Sequence, residues 1–168
     1  MNRHYTVTML ATVAMLIALE IVLTRFLSIQ TPLIRIGFGF LPIAVIGMKY
    51  GPLQAGIAAA MADVIGFFLF STFTYHPGFT ITAFLTGVTY GLLLHKGRHQ
   101  NILNIIFAVL IVTIAWNMFL DTFWLTQITG QGAIGFLAIR VLRTVIMLPL
   151  QIIFISAAAN FGRKAKLV

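Results

Sequence analysis

Glu20, Asp63 and Asp121 are the only acidic side chains in the sequence, and each lies inside a long apolar run, as do Arg140 and Arg143. An ionisable group at the centre of a bilayer costs about 2.5–3.5 kcal/mol on insertion scales, so such groups face the interior of a helix bundle and mark functional positions. Their neighbours suggest what they do. With helical periodicity, Asn117, Asp121 and Trp124 share one face: an amide, a carboxylate and an indole. Phe79, Thr82, Thr86 and Tyr90 share a face of another helix. Such faces suit recognition. A carboxylate accepts two parallel N–H bonds from a heteroaromatic edge, aromatic rings stack, and arginine forks onto a carboxylate. Phe79, Thr82, Asn117, Asp121, Trp124, Arg140 and Arg143 therefore form a candidate site for a flat, polar, partly anionic ligand, beneath a mouth edged by Arg25 and Arg35.

Plainer readings stand beside these. Asp63 shares its face with Gly56, Ala59 and Ala60, which suits a structural charge at a tight helix contact or one paired with an arginine. Glu20 either joins the site or neutralises Arg140 or Arg143. Arg25 and Arg35 either touch the ligand or snorkel into headgroups. Ala11, Ala14 and Ala18 lie on one face of the first apolar run, with Glu20 opposite, and small residues at this spacing let another helix approach closely. That stripe serves a partner or packs within the bundle.

The elements that position these residues are membrane helices. Apolar residues make up 60% of the 168, charged residues only 8%, and the mean hydropathy is +1.03. A soluble domain carries about 25% charged residues, so lipid is the solvent for most of this chain. Apolar runs fall at about 6–27, 33–48, 52–72, 79–94, 102–126 and 134–161. They are separated by Gln30-Thr-Pro32, Lys49-Tyr-Gly-Pro52, Tyr75-His-Pro-Gly78, His95-Lys-Gly-Arg-His-Gln100 and Thr129-Gly-Gln-Gly132. No barrel-like alternation occurs, which predicts an all-α integral membrane protein, a single domain over 1–168 with six transmembrane helices. The first run is too long for a signal peptide and contains Glu20, so it reads as a retained helix. Arg3, Lys49, Lys96, Arg98, Arg163, Lys164 and Lys166 fall on one side of this arrangement, and Arg25 and Arg35 on the other. The positive-inside rule then places both termini in the cytoplasm. At 1.5 Å per residue, the five intramembrane charges lie roughly 8–15 Å below the outer helix ends, describing a pocket open outward and sealed below.

Several function classes are excluded. The formal net charge of +8 is scattered between apolar runs, which argues against nucleic-acid binding. There is no cysteine, hence no disulfide or thiolate metal site, and no metal cluster or cofactor is expected. Gly130-Gln-Gly-Ala-Ile-Gly135 fits a dinucleotide fingerprint, but no strand precedes it, so it is a turn between helices. Without a Walker A sequence or nucleophile elbow the chain is no enzyme, and uphill transport needs energy from a partner.

The sequence is similar to the substrate-binding S components of energy-coupling factor (ECF) vitamin transporters, most closely the folate-specific branch. The likeness spans nearly the whole chain. It rests on Ala14-x-x-x-Ala18, Arg35-Ile-Gly-Phe-Gly-Phe-Leu-Pro42, Gly51-Pro-Leu-Gln-Ala-Gly56, Asp63-Val-Ile-Gly66, Pro77-Gly-Phe-Thr-Ile-Thr-Ala83 and Gly87-Val-Thr-Tyr-Gly91. The Gly-Pro and Asp-x-x-Gly pieces mark the class, and Pro-Gly-Phe-Thr points to folate. The resemblance implies a prokaryotic plasma-membrane subunit that binds its vitamin from outside and topples to deliver it. The Ala11, Ala14 and Ala18 face would dock on a coupling transmembrane subunit joined to two ATPase subunits. Loops 28–35 and 72–79 would act as gates, the latter through Tyr75, His76, Pro77 and Gly78. Family members often have an aromatic residue before Pro-Gly-Phe, where this chain has His76. Folate would place its pterin edge on Asp121 and Asn117, its rings on Trp124 and Phe79, and its carboxylates on the arginines. Other expectations are an S component for pantothenate or riboflavin, with thiamine disfavoured by the outer arginines, or a stand-alone secondary transporter. No inverted repeat supports the last.

Overall fold

Backbone polar groups in lipid must bond within their own segment, so apolar runs of this length become helices, and glycine and proline decide where each one stops. The computed structural model describes residues 3–30, 35–70, 75–95, 101–130 and 133–164. Helix α1 (Arg3–Arg25) ends on a basic residue, which suits the negative end of the helix dipole. Beyond it the Ser28 hydroxyl donates to the carbonyl of Thr24. Two short strands, β1 (Ile29–Gln30) and β2 (Arg35–Ile36), pair antiparallel with Ile29 opposite Ile36.

Helix α2 (Phe40–Tyr50) follows. Its Pro42 lies in the first turn, where a missing N–H leaves no intrahelical bond unmade. Gly51, at φ +93°, turns the chain directly into α3 (Pro52–Phe70). Helix α4 (Pro77–Leu94) opens with Pro77 at its first position and with His76 as N-cap, its Nδ1 accepting from the N–H of Gly78 at 3.1 Å. The next rod is one continuous helix in three parts: α5 (Ile102–Leu110), a π-helical segment (Ile111–Leu120) and α6 (Asp121–Thr129). Gly130, at φ +66°, closes it in the left-handed conformation. Helix α7 (Ala133–Lys164) completes the chain, with Pro149 inside it.

Among the described residues, five helical stretches are long and apolar enough to cross a membrane: Val7–Arg25, Pro52–Phe70, Pro77–Leu94, Ile102–Ile128 and Arg140–Lys164. The second apolar run differs from its predicted extent. Instead of a helix over 33–48, the chain makes β2 and then the 11-residue α2. At 1.5 Å per residue that is about 17 Å, against a hydrocarbon core of about 30 Å. The cause is local packing: a Cβ on Gly37 would lie 2.5 Å from Ser28 Cβ, and one on Gly39 would lie 2.0 Å from Thr24 Oγ1. The chain is pressed against the end of α1 before it turns into α2.

Glycine also brings the backbones of α3 and α4 close together, at the end of the bundle near Tyr50 and His95. A Cβ on Gly87 would meet the Ala55 carbonyl oxygen at 2.2 Å, and one on Gly91 would meet Pro52 Cα at 2.2 Å. Small residues bring backbones together in lipid because van der Waals contact replaces the missing hydrophobic drive. The core gathers at this same end, from Ile46 and Met48 of α2, Ala55 and Ala58 of α3, Tyr90 and Leu94 of α4, and Ala108 and Val109 of α5. Met15, Phe68 and Phe161 are more than 70% exposed, an apolar exterior that only lipid would cover. The core is thus gathered at one end of the molecule, and the charged intramembrane side chains Glu20, Asp63, Asp121 and Arg140 lie toward the other.

Candidate functional site

The site is built on the π-helical segment. Its backbone follows the wider i→i+5 pattern, a geometry frequent at functional sites, and the N–H of Asp121 still donates to the Trp116 carbonyl. The Asn117 side chain joins the pattern, its Nδ2 donating to the Val112 carbonyl at 2.9 Å. At Asp121 the helix returns to ordinary α geometry. A return from i→i+5 to i→i+4 bonding leaves a carbonyl without an intrahelical donor, which must be satisfied from elsewhere. Arg140 on α7 supplies donors: Nη1 to the Asn117 carbonyl at 2.6 Å and Nη2 to the Asp121 carbonyl at 3.3 Å. Nη1 also lies 4.0 Å from Asp121 Oδ2. Arg140 is 5% exposed.

Trp124, one turn along, faces α4. Its Nε1 donates to Thr82 Oγ1 at 3.3 Å, and that hydroxyl donates to the Gly78 carbonyl at 3.2 Å. The indole lies directly on Gly78, where a Cβ would stand 2.3 Å from Trp124 Cδ2. The His76 ring lies 5.4 Å from Trp124 and 6.2 Å from Phe79, centroid to centroid. His76, Gly78, Phe79, Thr82 and Trp124 are therefore brought together, and Asp121, paired with Arg140 of α7, lies one turn away on α6.

Beside this cluster, the Thr80 hydroxyl donates to Asp63 Oδ2 at 2.9 Å and stands 2.9 Å from Tyr75 Oη. Because the single hydroxyl hydrogen of Thr80 goes to the carboxylate, Tyr75 is the donor in the second bond. The Tyr75 ring packs on Phe67 and Phe68 of α3. Through these bonds Asp63 ties the first turn of α4 and Tyr75 to α3. At the end of α1, Glu20 Oε1 accepts from Thr24 at 2.7 Å, next to Gly39. The Arg25 guanidinium lies across Gly66 of α3, where a Cβ would come within 3.1 Å of Nε.

Several expectations are met differently. Asn117, Asp121 and Trp124 do not present one common face. Asp121 pairs with Arg140 of α7, Trp124 bonds to Thr82 of α4, and Asn117, which lies in the π segment and so out of α-helical register with the other two, donates its amide to its own helix. Arg140 is engaged by helix carbonyls rather than held open, and Arg143, one turn on, is half-buried. Tyr90 belongs to the core at the packed end, with its hydroxyl unpartnered among the described residues. The side chain of Arg35, and residues 31–34 and 72–74 of the two expected gates, lie outside the described residues. So do Lys96, Arg98 and Lys166 of the positive-charge count.

Two neutral pairs were not visible in the sequence. Trp116 Nε1 donates to Thr89 Oγ1 at 2.9 Å, and Thr113 Oγ1 donates to Gln151 Oε1 at 3.2 Å. The one available signal was Gln151, an amide in the middle of the apolar run of α7. Among the described residues no group of three His, Cys, Asp or Glu side chains gathers as a metal site would need.

Residues 8–161 match the family of substrate-specific components of ECF transporters. The chain is 44% identical over 145 residues to the folate transporter FolT of Clostridium novyi (strain NT), covering 86% of this chain and 84% of that one. It is 33% identical over 144 residues to FolT of Leuconostoc mesenteroides subsp. mesenteroides, covering 83% and 77%. In three dimensions it matches a crystal structure of FolT bound with folic acid, with a TM-score of 0.85 and 37% identity over 90% of this chain and 92% of the other. With a family match over most of its length and the same arrangement of helices, this chain belongs to the substrate-specific components of ECF transporters.

Proposed function

We propose that this chain is the folate-capturing subunit of an ECF transporter, binding the vitamin on the outer side of a prokaryotic plasma membrane. The observation that carries this is the likeness, over nine-tenths of both chains, to a FolT crystal structure holding folic acid. The chemistry of the site supports it. Asp121 and Asn117 suit the donor-rich edge of a pterin, and His76, Phe79 and Trp124 supply aromatic surface for its rings. Arg25, Arg35 and Arg143 supply positive charge for the glutamate carboxylates. Tyr75, His76, Pro77 and Gly78 form part of the outer gate.

The chain works with six helical rods, both termini inside, α2 contributing a short rod covered by its neighbours. ATP hydrolysis belongs to two partner ATPase subunits, and the exposed Ala11, Ala14 and Ala18 face of α1 meets the coupling transmembrane subunit. The test is binding of labelled folate to the detergent-purified chain, with other B vitamins as unlabelled competitors. Displacement by folates alone is the expected result. Displacement by pantothenate or riboflavin instead would keep the architecture and overturn the ligand.

A further inference from the structure

We propose that Arg140 is a positioning residue, which clamps the junction between the π-helical segment and α6 so that Asp121 and Asn117 present their acceptors to the ligand, and which does not itself hold the ligand's carboxylates. The inference deepens the folate reading and rests on it. A ligand carboxylate needs two adjacent N–H groups of one guanidinium directed outward. Both terminal nitrogens of Arg140 already serve the helix, Nη1 on the Asn117 carbonyl and Nη2 on the Asp121 carbonyl, and Nε, without a partner among the described residues, is buried rather than directed outward. Only 5% of the residue is exposed.

What Arg140 does touch is the point where the helix changes pitch. The two carbonyls it binds belong to the residues that the site needs, one turn apart on either side of the return to α geometry. A π segment lacks the favourable packing of an α-helix and persists where its surroundings hold it. With the clamp removed, the segment can recover α bonding, and each residue of register recovered turns α6 by about 100° relative to α5. Asp121 and Trp124 would leave the site together, and the Asn117 amide would lose its bond to Val112.

The experiment compares the wild type with Arg140→Gln, Asp121→Asn and the double variant, each titrated with folate and with pteroate, which lacks the glutamate. Arg140→Gln is expected to weaken both ligands by the same factor, about ten- to a hundredfold, the scale of a lost charged hydrogen bond. The double variant should bind about as weakly as the weaker single one, because Arg140 acts through Asp121. Loss of folate affinity with pteroate unchanged would overturn the proposal and give Arg140 to the tail, as would losses that multiply in the double variant. Amide exchange over residues 117–122 without ligand is a second readout: it should quicken in Arg140→Gln, and unchanged protection would overturn the clamp. If Arg140→Gln does not fold, Arg140→Lys, which reaches one carbonyl but not two, should weaken both ligands equally, and unequal loss overturns the proposal. A wild-type chain that binds no folate would instead sink the folate reading, leaving the exchange measurement to decide the clamp.

Discussion

Asp121 has Arg140 within ion-pair distance and Trp124 one turn along on the same helix, so its charge is held in place at little exposure to water. A carboxylate so placed accepts from ligand N–H groups more strongly than an amide would. Asp121→Asn should therefore weaken folate binding by about ten- to a hundredfold in isothermal titration, the equivalent of 1.5–3 kcal/mol for a hydrogen bond to a charged group. Near-unchanged affinity would remove Asp121 from the site. Gly78 is a second residue whose effect is calculable. With Trp124 Cδ2 only 2.3 Å from the position a Cβ would take, Gly78→Ala must displace the indole or the start of α4. The expected cost is about 1–3 kcal/mol in thermal denaturation, accompanied by weaker folate binding and altered tryptophan emission. An alanine variant with wild-type melting would contradict the close approach of Trp124 to the α4 backbone.

At the scale of elements, the first turn of α4 is tied to α3 by the chain of hydrogen bonds from Tyr75 through Thr80 to Asp63. Thr80→Val keeps the shape of the side chain and removes both bonds at once. If this tie holds the outer gate, folate should dissociate faster, by roughly tenfold for bonds of this kind, while association changes less. Stopped-flow release of bound folate measures both rates. Unchanged dissociation would leave the three residues a purely structural role. The π segment shows why element-level detail escaped the sequence: nothing in Ile111–Leu120 distinguishes it from an α-helical run. Its geometry depends on donors from α7, a helix distant in sequence. The truncated second helix has the same kind of cause, since Gly37 and Gly39 are pressed against the end of α1.

The whole molecule is a bundle with its core gathered at one end and its intramembrane charges toward the other, with an apolar exterior. Ala11, Ala14 and Ala18 are exposed on α1 amid Leu10 and Met15, a smooth strip on which a second helix can lie. Ala14→Leu should leave folate binding in detergent intact and abolish uptake in cells that also make the coupling and ATPase subunits. Normal uptake by that variant would place the docking face elsewhere. Orientation is testable because the chain lacks cysteine. With both termini inside, Phe26→Cys should react with an impermeant maleimide in intact cells, and Lys164→Cys only after permeabilisation. The opposite pattern would invert the topology.

The sequence by itself determined the membrane as solvent, the helical rods and most of their ends, because these follow from composition and from punctuation by glycine and proline. It also singled out Asp63, Asp121, Arg140 and Trp124, since charged or polar residues in apolar runs are costly and therefore conspicuous. Only the tertiary structure decided what each of them does. Asp63 meets Thr80, Trp124 meets Thr82 and Gly78, and Arg140 meets the carbonyls of another helix. Trp116 with Thr89 and Thr113 with Gln151 were invisible for the same reason: a neutral side chain on a helix reveals its partner only when the helices are assembled. A helical period assigns a residue to a face, but the neighbouring rods, and one change of pitch within a rod, determine what that face meets.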